Sequence, residues 1–192
     1  MLLLRRPHLF LGILVCSYLL FGSLSALEID EFPPVYIRKI PPGQPFFSFR
    51  LTDLDNNLWN LPDLRGKPVV IITGHQELRY DLQEWATELK HRFADNQQIH
   101  LLWVVNLCRH RLTDRLAPAR KEWQDFGPLI PCALDPHSQV SRGLRIEYDI
   151  PSIIGIDKDG YLAFHDMYPC NKASLALICA KISVLIRQKN RH

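Results

Sequence analysis

The sequence has no Cys-x-x-Cys pair, although it carries five cysteines: Cys16, Cys108, Cys132, Cys170 and Cys179. Their spacing fits no zinc motif, which removes paired-thiol metal binding from consideration. Charge of one sign is also scarce. Lys and Arg number 23 against 20 Asp and Glu, a formal net charge of +3, which leaves no electrostatic footprint for nucleic acid. Arg5 and Arg6 supply two of those charges from the extreme amino terminus. There is no internal repeat, low-complexity tract or sign of a second domain. Hydrophobic residues make up 47% and charged residues 22% of 192 positions, the composition and size of one folded domain with a single core.

Residues 1–26 read as a targeting segment. Arg5, Arg6 and His8 give a basic start, positions 9–21 are almost wholly apolar, and Ser23-Leu24-Ser25 has small-x-small spacing. Cleavage after Ser25 or Ala26 fits a secretory signal. The alternative retains positions 9–27 as a membrane anchor, close to the roughly 20 residues a bilayer needs. Val15 is too bulky to precede a lipidated Cys16. Both readings put the domain outside the cytoplasm. Four cysteines then remain, an even number that permits two disulfides in any of three connectivities. Buried free thiols, or one inert bridge, are the other reading.

Residues 27–45 form an extended lead-in with Pro33, Pro34, Pro41, Pro42 and Pro45, which leaves little capacity for helix. From 46 to 189 the patterning is that of an alternating α/β domain. Phe47, Phe49 and Leu51 alternate as a short strand. Asp53, Asp55, Asn56 and Asn57 make a turn; they lack the glycine and closing glutamate of a calcium loop. The β-branched run 69–73 predicts a strand buried on both faces. Leu78, Leu82, Trp85, Ala86, Leu89 and Phe93 fall on one helical face. Further strands are expected at 99–107 and 129–134. A helix broken at Pro118 is expected over 112–126, and a short helix over 137–144. Asp157-Lys158-Asp159-Gly160 joins two strands as a hairpin. Asn171 caps a last helix over 172–188. This order implies a central mixed sheet with helices on both faces.

Four segments at the joints resemble the redoxin branch of the thioredoxin-like superfamily, which includes peroxiredoxins and periplasmic thiol oxidoreductases. They are Gly43-Gln44-Pro45-Phe46-Phe47, Leu61-Pro62-Asp63-Leu64-Arg65-Gly66-Lys67-Pro68, Leu134-Asp135-Pro136, and Ile150-Pro151-Ser152 with Ile156-Asp157-Lys158-Asp159-Gly160. The resemblance covers about 43–188 and implies the thioredoxin-like fold. It also implies a cis peptide bond before Pro151 and a substrate groove beside it, lined by Thr73, Gly74, His75, Gln76, Ile150 and Pro151.

The departure is chemical. In that family the reactive cysteine follows the first core strand, where a helix N-terminus lowers its pKa. Here the stretch reads Thr73-Gly74-His75-Gln76-Glu77-Leu78-Arg79-Tyr80, without a thiol. Cys108 is the remaining redox candidate, because it follows the second core strand and precedes Arg109, His110 and Arg111. Cys132 reads as core or disulfide partner. Cys170 and Cys179 are too far apart along a helix axis to pair. His75 could be a general base or metal ligand; the other reading is a surface or hydrogen-bonded histidine. The basic stretch 109–121, with Arg115 and Arg120, could hold an anion or lipid headgroup, or be a solvated helix face.

Two function classes follow. One is an exported binding or accessory domain acting on other exported proteins or peptides. The other is an atypical thiol oxidoreductase or peroxidase working through Cys108. Neither reading calls for a cofactor, metal or nucleic acid, and membrane contact would come only through an uncleaved amino terminus.

Overall fold

The structure is a computed structural model, and it describes residues 40–93, 97–107, 116–141, 144, 146 and 149–188. The expected targeting segment, most of the expected lead-in and Cys108 lie outside the described residues. A hairpin of β1 (Arg50–Thr52) and β2 (Leu58–Asn60) precedes a five-stranded sheet. That sheet comprises β3 (Val69–His75), β4 (His100–Asn106), β5 (Cys132–Asp135), β6 (Ser152–Ile156) and β7 (Leu162–Met167), in the order β5-β4-β3-β6-β7. The first three run parallel; β6 and β7 are antiparallel additions. The helices are α1 (Arg79–Phe93), α2 (Leu116–Phe126) and α3 (Lys172–Arg187). The mixed α/β sheet is as expected, whereas the three described helices lie against one of its faces rather than both.

Every residue of β3 is buried, as its continuous β-branched run requires of a central strand. One face of the sheet meets the three helices, with Leu82, Trp85, Leu89, Trp123, Ile178 and Ile182 in a single apolar cluster. The other face is closed by Ile40, Phe46, Phe49, Leu51 and Leu61 from the start of the domain and by Val140 and Leu144. Gly74 sets how closely α1 follows β3. A Cβ there would sit 3.2–3.3 Å from side-chain carbons of Leu78 and Leu82.

Three local expectations need correction. Residues 137–144 form turns among the described positions, with no helix. The Asp135 carboxylate accepts from the N–H groups of His137, Gln139 and Val140, and Ser138 is left-handed at φ 52°. Side-chain acceptance of this kind competes with helix hydrogen bonding. Pro118 does not break α2, whose described part runs helical through it from Leu116 to Phe126. No cis peptide bond occurs among the described residues, so Ile150–Pro151 is trans. Trans is the lower-energy isomer by about 0.5–1 kcal/mol, and the Pro151 carbonyl accepts from Tyr168 N–H at 3.2 Å.

The acidic turn is a hairpin turn, as read. Asp53 accepts from the backbone of Asp55 and Asn57, from Asn57 Nδ2 and from Trp59 Nε1. Arg120 of α2 donates to the carbonyls of Asp53 and Leu54 and to Asn56 Oδ1. That Arg120 therefore has a structural role, clamping α2 to the hairpin. Arg109, Arg111 and Arg115 lie outside the described residues.

Candidate functional site

Strand β3 ends at His75, and a 3-10 turn (Gln76–Leu78) leads straight into α1. His75 is the residue before that turn and makes no side-chain capping bond to it. It is buried, 4% exposed, which removes the surface half of the expectation of a surface or hydrogen-bonded histidine. Across the sheet, Thr73 pairs with Ser152, which places Ile150 and Pro151 beside Gly74 and His75. The fold thus brings Thr73, Gly74, His75, Gln76, Ile150 and Pro151 to one edge of the sheet. Thr73, Gly74, His75 and Pro151 are buried, whereas Gln76 and Ile150 are half-buried.

A row of polar side chains continues along this edge. His75 lies opposite Asn106 and Asn106 opposite Asp135 in the parallel ladders. All three are buried. Asn106 Nδ2 donates to Ser141 Oγ at 3.2 Å, tying the turn after β5 to the end of β4. Ser152 Oγ is buried and has no hydrogen-bond partner among the described residues. Polar residues closing otherwise apolar strands were the signal that could have marked Asn106 and Ser152 in the sequence.

The start of α1 carries acids and an aromatic in place of sulfur. Glu77 and Asp81 lie in the first turns, where the positive helix end favours carboxylates. Tyr80 is 75% exposed and stacks edge-on with Phe126, ring centroids 5.8 Å apart. Arg79 pairs with Glu122 at 2.8 Å and lies 5.8 Å over the Trp123 ring, so α1 is fastened to α2 at its first turn.

The described thiols are far from thiolate chemistry. Cys132, Cys170 and Cys179 are all free. Burial, with the Asp53 carboxylate nearby, pushes the Cys132 thiol well above its ordinary range. Burial, then Glu84 and Glu88, push Cys170 up to about 11. Cys179 is also raised, by burial, with Arg92 opposing. No group of three His, Cys, Asp or Glu side chains among the described residues could hold a metal ion.

No protein-family model matches the sequence. No curated protein matches it either. Solved structures do match. A candidate protein disulfide isomerase from Bacteroides thetaiotaomicron superposes with a TM-score of 0.61 at 18% identity, covering 78% of this chain and 92% of that one. A candidate thiol:disulfide interchange protein DsbE from Chlorobium tepidum gives 0.59 at 16%, over 77% and 99%. The chain has the thioredoxin fold. The exposed lipoprotein thioredoxin Etrx1 of Streptococcus pneumoniae matches this thioredoxin-fold domain at 0.56 and 20%, over 70% and 98%.

Proposed function

We propose that this is an exported thioredoxin-fold domain, redox-inactive at the usual position, that uses the His75–Pro151 edge to bind an extended segment of another exported protein. The observation that carries this reading is the β3–α1 junction. A buried strand leads there straight into a helix, and the junction presents Gln76, Glu77, Leu78, Arg79, Tyr80 and Asp81 where the family resemblance expects a thiol. Neither glutamine nor an acid can exchange a disulfide, and two acids there would oppose a thiolate. The half-buried Ile150 and exposed Tyr80 and Tyr168 offer backbone and aromatic surface to a chain lying along the edge. Export is supported by the basic-apolar amino terminus and by similarity to an exposed lipoprotein thioredoxin.

The second reading, thiol chemistry through Cys108, has one observation in its favour. Asn106 ends β4 directly beside His75, and Cys108 is two residues further along the chain. Turnover of a disulfide substrate and of peroxide by the wild-type chain and by Cys108→Ser tests both. Turnover at buffer level in both proteins supports the binding domain. Turnover abolished by Cys108→Ser establishes the enzyme.

A further inference from the structure

A cleft of about 580 Å³ opens at the sheet end opposite His75, where β6 turns into β7. Phe46, Leu61 and Pro62 line one part of it and Tyr161 another; Arg65, Lys158 and Asp159 supply its charge. Its size falls within the range that takes a small ligand, about 300–1,000 Å³.

The walls are fixed to one another through backbone bonds. Asp157 Oδ1 accepts from the N–H groups of Asp159 at 3.1 Å and Tyr161 at 2.8 Å, which sets the hairpin. Gly66 N–H donates to the Lys158 carbonyl at 2.8 Å, and Phe46 N–H to the Gly160 carbonyl at 2.9 Å. Three separate segments therefore meet in a preformed frame, which lowers the ordering cost of binding.

The donors within that frame are unequal. Lys158 Nζ already donates to the Gln188 carbonyl at 2.5 Å. The Arg65 side chain lies over Gly160, its Nε 3.7 Å from where a Cβ would stand. Arg65 makes no hydrogen bond or ion pair with the described residues. A guanidinium presents a planar fork matched to a carboxylate. Two cations and one carboxylate leave one net positive charge, which suits a monoanion better than a phosphate dianion.

We propose that this cleft binds a carboxylate attached to a compact apolar group, with Arg65 holding the carboxylate and the exposed Pro45 and Pro62 receiving the apolar part. The carboxylate could come from a free small acid or from the carboxyl terminus of a chain ending in an apolar residue. The site is remote from the His75–Pro151 edge and does not depend on the function proposed for that edge.

The test is a titration of the isotope-labelled full chain, following the amide signals of Gly66 and Gly160, with Gly74 as the reference at the far edge. The probes are 3-phenylpropanoate, its uncharged amide, and acetyl-Ala-Ala-Phe with a free carboxyl terminus. The expected result is saturable movement of Gly66 and Gly160 with at least one acid. Affinity should fall about tenfold in Arg65→Gln and about tenfold for the amide. Arg65→Lys should fall between, since it keeps the charge and loses the fork. Saturation by 3-phenylpropanoate alone assigns the site to a free acid; saturation by the peptide assigns it to a chain terminus. Failure of both acids to saturate by about 10 mM, or equal affinity for acid and amide, overturns the proposal. So does unchanged affinity in Arg65→Gln.

Discussion

Alkylation of the folded protein by iodoacetamide at neutral pH should be slow at every described thiol, and the structure supplies the scale. A thiol moved from 9.0 to about 11, as Cys170 is, has about one hundredth of the ordinary thiolate fraction at neutral pH. Cys170 is only half-buried, so solvent screening weakens the effect, and a slowing of roughly 30- to 100-fold against free cysteine is expected. Cys179 should follow the same direction. Cys132, almost wholly inaccessible within β5, should react only when the domain opens. The assay is timed quenching followed by peptide mass spectrometry, in Cys108→Ser so that one thiol does not obscure the rest. The Cys170 rate should climb about tenfold per pH unit up to its raised pKa. Labelling of Cys170 as fast as glutathione at pH 7 would refute the assignment of this thiol as inert.

Further outcomes follow from packing and titration. In Gly155→Ala the new Cβ would stand 2.2 Å from the Phe164 ring; overpacking of this kind costs roughly 1–3 kcal/mol, and calorimetry should show a Tm about 3–10 °C lower. Ser152→Ala removes a buried hydroxyl without a partner among the described residues and should raise stability by about 1 kcal/mol in urea unfolding. Burial, with Lys67 nearby, holds His100 below its ordinary value. The unfolded chain then binds the proton more tightly, so this contribution to stability is full above the ordinary histidine range. It is lost as pH falls through that range toward the lowered folded value. His100→Gln should flatten the loss of stability between about pH 7 and 5, measured by urea titration at each pH.

The elements that were legible in the sequence are those whose burial is reported by their own residues. The run Val69-Val70-Ile71-Ile72 is a central strand because nothing else tolerates four β-branched residues buried on both faces. Asn171 announces α3, and its side chain does accept from Ala173 and Ser174 N–H. What misled was chemistry carried by a neighbour. The stretch 137–144 has helical periodicity, but the carboxylate of Asp135, one strand earlier, takes its N–H groups. Pro118 looks like a breaker in the sequence, yet the described helix runs through it. At the candidate site, the convergence of His75 with Pro151 was legible from the order of the joints. The burial of His75 and the polar row through Asn106 and Asp135 was not, because it depends on ladder register. Nor could the Arg65 cleft be read, since its walls come from segments about a hundred residues apart in sequence.

The central claim is that a thioredoxin fold without a thiol at the β3–α1 junction carries no reversible disulfide. The most direct measurement is intact mass spectrometry of the purified full-length protein, with thiols alkylated across a titrated series of redox potentials. The account predicts that no bridge opens at mild potential, so that any bridge present yields only to strong reductant. A Cys108 bridge that opens and closes within the range of cellular thiol buffers would contradict it and make this protein a thiol oxidoreductase.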